Sequence, residues 1–509
     1  MIPRRSLPIF LFLLSLALLY GIASPVLPAD TEAPKIGLAD RVVEHRLSNG
    51  LQLLMVERRT APIVSFAIAY KVGGVNEHPG ITGVAHLYEH LAFKGTQTLG
   101  TKDYQKEAGV LERLDRAWND LRAEHDRGPR ADHNKLIALE KRFRDLQQQA
   151  EHYVVPNEVG EIYERNGAVG LNATTAKDLT RYVVSLPANR LELWAAIESD
   201  RMAHPVLREF YKEKEVVLEE RRSRYENSPG GKLYESFIAA AFTAHPYRMP
   251  VIGWTSDIES LSRKQTEEFF RAHYGPGNAV IAIVGDIDAH ETIRLIEKYF
   301  GPIPARPLPP SAVTEEPPQE GERRVEIEFD AEPAVLIGYH RPALDHPDDA
   351  VFDVIDSLLS DGRSSRLYTS LVKERQSALN VSTNNGAPGV RYPNLFLIQA
   401  TPRAPHTTAE LEAAVDAELD RLKREPVPPR ELRKVLNRLD ADLIRSLDSN
   451  SGLASQLSFF KTVAGDWRYL LNNRERAARV SAEDVMRVAR AYFVKSHRVV
   501  ATLVRKGSD

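Results

Sequence analysis

Ala279-Val280-Ile281-Ala282-Ile283-Val284, an apolar run that reads as a strand, follows a helical stretch from Gln265 and the turn Tyr274-Gly275-Pro276. The same order recurs near the C-terminus: a helical stretch from Ser481, then Tyr492-Phe493, then Val499-Val500-Ala501-Thr502-Leu503-Val504. Two copies of one helix-strand unit imply two α+β domains of a single fold, each ending in that unit. Between them Pro302 to Glu322, rich in proline and acid, reads as an exposed linker. The expected organisation is therefore a first domain at 40–301, a linker at 302–322 and a related second domain at 323–509.

Upstream of the first unit, Val42 to Val72 alternates in short β-rich runs. Ser48-Asn49-Gly50 is the turn between Val43-Glu44-His45-Arg46-Leu47 and Leu51-Gln52-Leu53-Leu54-Met55, so two or three antiparallel strands are expected. They lead into His86-Leu87-Tyr88-Glu89-His90, present in the first half alone. On a helix, residues three and four apart are neighbours, so His86 and His90 can each give a nitrogen to one cation while Glu89 points at the same spot. Glu89 could then take a proton from water held there. Thr82 is the expected N-cap, after Pro79-Gly80, and Gly95 falls just beyond the apolar Leu91-Ala92-Phe93. A surface helix with two chance histidines is the plainer alternative.

Composition narrows the choice. At 509 residues the chain is long enough for two or more domains, and a net charge of −3 argues against a nucleic-acid binder. With no cysteine, disulfides and thiolate ligands are excluded, leaving His, Asp and Glu to hold a metal. Arg4-Arg5, the apolar Leu7 to Leu19 and small residues near Gly21, Ala23 and Ser24 read as an export signal over 1–29; an uncleaved membrane anchor is the alternative. Asp103 to Tyr153 is charge-rich, with apolar residues at Leu111, Leu114, Trp118 and Leu121, then Leu139, Phe143, Leu146 and Ala150. Gly128-Pro129 breaks it into a helical hairpin whose stripe is expected to be its own seam, with a lid or partner contact as the alternative.

A catalytic zinc needs three protein ligands and an open position. Downstream, Glu213-Lys214-Glu215-Val216-Val217-Leu218-Glu219-Glu220 is helical and dense in carboxylates. Glu213 and Glu220 share a helical face, with Val216 and Val217 between them as the expected core-facing stretch. Glu219 beside Glu220 is an equal alternative as ligand, and a solvated charge run with Lys212, Lys214 and Arg221 is the reading without metal.

Gly83-Val84-Ala85-His86-Leu87-Tyr88-Glu89-His90-Leu91-Ala92-Phe93-Lys94-Gly95-Thr96, Leu171-Asn172-Ala173-Thr174-Thr175 and Glu215-Val216-Val217-Leu218-Glu219-Glu220 together resemble the pitrilysin/insulinase family of inverted-motif zinc metallopeptidases, over roughly Val42 to Val504. The resemblance implies two α/β-roll domains with antiparallel-rich sheets, and one Zn²⁺ per chain on His86, His90 and Glu220. It makes Glu89 the catalytic base, Glu213 a supporting catalytic acid, and Asn172 and Ala173 the edge strand on which a substrate peptide lies. It implies a metalloendopeptidase acting on peptides or unfolded polypeptides, exported to the periplasm.

Two departures stand out. The stretch between His90 and Glu220 is about fifty residues longer than is usual in the family, comparable to a small helical hairpin. An insertion at 103–155 accounts for it, and because a hairpin's ends emerge together the metal site need not be disturbed. The family also presents an arginine and a tyrosine, seven apart, to the scissile carbonyl, and here Val372 and Leu379 occupy those places. Arg375 is close by but in the wrong register. The resemblance then implies the zinc-binding subunit of the two-subunit bacterial branch, a hetero-dimer with a related chain carrying the Arg/Tyr pair, or else a homo-dimer. The contrasting expectation is a non-catalytic assembly or scaffold subunit.

Overall fold

The computed structural model describes residues 37–506, position 313 apart; the expected export signal lies outside the described residues. The first sheet is built from β1 (Val43–Arg46), β2 (Gln52–Glu57), β3 (Ile63–Tyr70), β4 (Val169–Thr175), β5 (Thr180–Pro187) and β6 (Ala279–Gly285), in the order β1-β2-β6-β3-β5-β4. The second holds β7 (Arg323–Phe329), β8 (Ala334–Arg341), β9 (Ala378–Ala387), β10 (Asn394–Pro402) and β11 (Arg498–Arg505), in the order β7-β11-β8-β10-β9. Without β1 the two orders correspond strand for strand. Even the parallel pairs match, β2 with β6 and β7 with β11, in sheets otherwise antiparallel. The helices Arg263–His273 and Ala482–Tyr492 precede β6 and β11, so the duplicated unit occupies equivalent places in an α+β fold. From Arg41 onward both sheets belong to one compact unit.

Every residue of β6 is buried because both of its faces are covered. On β3, Val64, Phe66, Ile68 and Tyr70 point into the main core, where Phe66 stacks on Trp194 with ring centroids 4.2 Å apart. The opposite face carries the smaller Ala67 and Ala69, and there the helix Asn450–Val463, from the second half, lies on β3 and β6. The exchange is mutual. Helix Pro229–Ala241, from the first half, lies on β7, β8 and β11, with Phe237 set above Gly338, where a Cβ would come within 2.5 Å of its ring. Each half thus lends a helix to the other's sheet.

The hairpin turns of the two edges also meet. Asp178, between β4 and β5, accepts the N–H groups of Val390 (2.7 Å) and Arg391 (3.1 Å), between β9 and β10, and the hydroxyl of Tyr247 (2.6 Å). Residues 302–322, position 313 apart, have no regular structure and are mostly exposed, yet they are pinned. Glu316 accepts N–H groups from Thr243, Ala244 and His245 at 2.7–3.0 Å, and Gln319 donates to the Arg498 carbonyl.

His245 is 3% exposed, packed against Tyr247 and Tyr392; its Nδ1 accepts the Tyr247 N–H and its Nε2 has no partner. Burial pushes the imidazole down from 6.5 to about 4, with Glu316 opposing and Lys177 assisting. The unfolded chain therefore binds more protons between those values, and folding stability falls as pH falls from 6.5 through about 4. His245→Asn, which keeps an acceptor but does not titrate, is expected to flatten that dependence in urea unfolding. An unchanged slope would place its source elsewhere.

In the first half, α1 (Val84–Leu91) carries the two histidines, and α2 (Tyr104–His125) and α3 (His133–Glu151) form the helical hairpin, joined through Gly128-Pro129. The hairpin's stripe is not only its own seam. Leu111 and Leu114 are buried, and Trp118 and Phe143 pack on Tyr211 with centroids 5.5 and 5.1 Å away, so the hairpin rests on the helix Phe210–Arg221.

Candidate metal centre

The motif helix starts differently from the sequence expectation. Its N-cap is Gly83, at φ 86, and a Cβ there would lie 2.5 Å from the Ile252 carbonyl, so glycine is required. Thr82 does not cap. Its hydroxyl donates to Asp257 (2.6 Å) and accepts the Trp254 N–H (2.9 Å). The cap comes from Glu77, a buried carboxylate that accepts the N–H groups of Gly83 (2.8 Å) and Ala85 (2.9 Å).

Helix Phe210–Arg221 crosses beside α1 and brings the carboxylates. Glu213, Val217 and Glu220 face inward; Val216 is 44% exposed, so the expected core-facing pair reduces to Val217. Glu219 is 71% exposed and bonds Arg222, whereas Glu220 is 17% exposed and turned to the histidines. That separates the two neighbours. Glu220 Oε2 lies 3.7 Å from His86 Nε2 and 3.5 Å from His90 Nε2, and its Oε1 meets Arg224 at 2.9 Å. Glu213 Oε2 lies 3.4 Å from His90 Nδ1, while its Oε1 pairs with Lys94 at 2.5 Å. Burial, with His90 assisting, pushes His86 down to about 4, and hydrogen bonds to Glu213 and Glu220 push His90 up to about 9.

These residues fit a zinc ion. Among the described residues His86, His90 and Glu220 form a group whose donor atoms all lie within 4.8 Å of one another. Donor separations of 3.5 and 3.7 Å approach the about 3.3 Å expected between ligands of a tetrahedral centre with bonds of about 2.0–2.1 Å. Two carboxylates press on His90, an arrangement that a cation completes. Glu89 stands beside the group, its carboxyl raised by burial and one oxygen bonded by the Thr175 hydroxyl at 2.5 Å.

Asn172 and Ala173 lie on β4, the open edge of the first sheet, paired on one side with Val183 and Tyr182 of β5. Val372 and Leu379 belong to the second half: Val372 packs against its core, and Leu379 is 51% exposed on β9. Sequence reasoning gave no role to Thr175, Lys94, Glu77 or Arg224. The first two stand inside the quoted motif segments, so proximity in sequence to His90 and Asn172 was the available signal.

The fold and this donor set match what the resemblance to inverted-motif peptidases implies. Residues 53–111 match the family described as Insulinase (Peptidase family M16), and residues 260–439 match Peptidase M16 inactive domain. The chain is 29% identical over 456 residues to the zinc protease PqqE of Helicobacter pylori, covering 88% of this chain and 89% of that one. It is 21% identical to an uncharacterized zinc protease, YmxG, of Bacillus subtilis, covering 90% and 97%. Among solved structures, a protease from Helicobacter pylori superposes with a TM-score of 0.76 at 27% identity, over 91% of this chain and 99% of that one. The first half of the periplasmic protease PqqL from Escherichia coli superposes at 0.67 with 17% identity, over 91% and 92%. The chain belongs to the pitrilysin/insulinase family, peptidase family M16.

Proposed function

We propose that this chain is an exported zinc metallopeptidase cutting peptides or unfolded polypeptides, with one Zn²⁺ on His86, His90 and Glu220 and Glu89 as general base. The observation that carries this is the convergence of His86 Nε2 and His90 Nε2 on Glu220 Oε2, with Glu89 on the same short helix. Bound there, Zn²⁺ supplies Lewis-acid chemistry, polarising a carbonyl and bringing the pKa of water towards about 7. Glu89 takes the proton that water gives up as its oxygen bonds the scissile carbon, and returns it to the amide nitrogen as the C–N bond breaks. Glu213 holds the Nδ1 proton of His90 and so keeps its Nε2 lone pair turned into the site. Asn172 and Ala173 offer an open strand edge to an extended peptide, which favours unfolded chains.

Val372 and Leu379 cannot donate a hydrogen bond to an oxyanion, and the loss of one such donor costs roughly a hundredfold or more in turnover. A related subunit bearing an Arg/Tyr pair is the proposed partner, making a hetero-dimer that encloses the site. The same two residues favour the second reading, an assembly subunit without catalysis of its own. Periplasmic export rests on Arg4-Arg5 and the apolar Leu7 to Leu19, and on a solved relative described as a periplasmic protease.

Elemental analysis of the purified chain is expected to find about one zinc per chain. Cleavage of an unfolded protein should be weak for the chain alone and strong with a related chain that lacks His-x-x-Glu-His but carries the Arg/Tyr pair, and a chelator should abolish it reversibly. A chain that takes up no zinc ends the proposal; zinc without cleavage in any such pairing supports the assembly role.

A further inference from the structure

We propose that Thr175 is a positioning residue for Glu89, fixing the base relative to the strand edge on which substrate lies; this rests on the peptidase reading above. The Thr175 hydroxyl donates to Glu89 Oε2 at 2.5 Å. Its direction is set by its neighbours. Across the β4–β5 pair Thr175 faces Thr180, whose hydroxyl is 3.5 Å away but gives its own proton to the Val72 carbonyl at 2.9 Å. The Tyr274 hydroxyl lies 3.2 Å from Thr180 on the same buried side. The Thr175 proton is thereby left for the carboxylate.

A carboxylate with both oxygens free rotates about its last bond and offers either to a reacting water. One oxygen held by Thr175 leaves the other in a single orientation. The strand that holds it is also the docking edge. From Asn172 to Thr175, β4 is in continuous register with β5, whereas the irregularity in its pairing lies upstream, between Val169 and Asn172, at Gly170 with φ 68. A peptide added beside Asn172 and Ala173 is thus in fixed register with Thr175, and through its hydroxyl with Glu89. Rigid placement of base against substrate is worth large factors in rate, and small displacements are costly.

The test uses the zinc-loaded chain with its partner on an unfolded-peptide substrate. Thr175→Val keeps the β-branched shape and removes the donor; kcat is expected to fall about 10- to 30-fold with KM and zinc content unchanged. Thr175→Ser keeps the donor and should return kcat to within about threefold of wild type. Peptide affinity of the zinc-free chain, read by fluorescence anisotropy, should be the same for all three. Full kcat in Thr175→Val, an equal loss in Thr175→Ser, or a loss of peptide affinity overturns the inference, the last two because they assign Thr175 to the shape of the strand. Glu89→Gln in the same assay separates the premises: if it stays active the peptidase reading fails, and if it is inactive while Thr175→Val is unimpaired, only the role of Thr175 fails.

Discussion

Glu89→Gln is expected to keep its zinc and lose about a thousandfold in kcat, whereas Glu220→Ala should lose both zinc and cleavage. The contrast follows from where the two carboxylates point. Glu89 is bonded to Thr175 and is not one of the three converging donors, so an amide in its place leaves the cation site intact and removes only the proton acceptor. A general base contributes roughly a hundredfold to ten-thousandfold, and no neighbour within the group replaces it. Glu220 Oε2 is the point on which both Nε2 atoms converge; without it two imidazoles face an incomplete shell. Glu219→Ala is the control, exposed and paired with the exposed Arg222, and should match wild type in both measurements. Glu213→Gln belongs between these extremes, since losing a partner behind a ligating histidine costs about 10- to 100-fold in metal affinity or activity. Zinc competition with a chromogenic chelator, run beside steady-state kinetics, reads all four variants. A Glu89→Gln chain that loses its metal, or a Glu220→Ala chain that retains it with wild-type affinity, would contradict this division of roles.

Local patterns in the sequence carry much of this. The repeated helix-strand unit is visible because β6 is apolar throughout and β11 nearly so from Val499 to Val504, and the structure gives the reason: β6 is buried along its whole length and β11 over its first half. His86, Glu89 and His90 are legible because helical spacing alone stacks them. Glu220 and Glu219 were inseparable because adjacent residues differ by about a hundred degrees around a helix, and only the packing of Phe210–Arg221 on α1 says which faces in. Thr82 was misread as a cap for a similar reason. Local rules favour a hydroxyl just before the helix, but the left-handed Gly83 turns it to Asp257, and Glu77 reaches back to the free N–H groups. Val216 was assigned inward with Val217 by adjacency, and the helix period exposes one of them. The helices exchanged between the halves left little mark, since the sheet face each covers lies far away along the chain. Small residues at Ala67, Ala69 and Gly338 are its only trace.

Arg208→Met is expected to destabilise the fold by about 3–5 kcal/mol and to weaken zinc binding with it. Arg208 is 0% exposed, and all five of its N–H donors are used. Two go to Glu107, at 2.7 and 3.0 Å, and the others to the carbonyls of Lys94 (3.0 Å), Leu99 (2.9 Å) and Thr96 (2.5 Å). Methionine fills a similar volume but leaves the Glu107 carboxylate, 1% exposed, without its Arg208 partner, together with the carbonyls of Lys94 and Thr96, while that of Leu99 keeps the Thr96 N–H. Adding Glu107→Leu should recover part of the loss, because the stranded charge goes while the Lys94 and Thr96 carbonyls still lack the Arg208 donor. The link to the metal is the loop itself. Lys94, whose carbonyl Arg208 holds, places its ammonium on Glu213, and Glu213 holds His90. Slackening that loop loosens the orientation of a zinc ligand without touching it. Urea unfolding of the zinc-free chain measures the first effect, and chelator competition the second. Arg165→Met, which breaks an exposed pair with Glu161 one helical turn away, should cost no more than about 0.5 kcal/mol. An Arg208→Met chain within about 1 kcal/mol of wild type would mean that water or a rearranged loop satisfies these groups, and that the fork is not what ties α2 and the Lys94–Gly100 loop to the core.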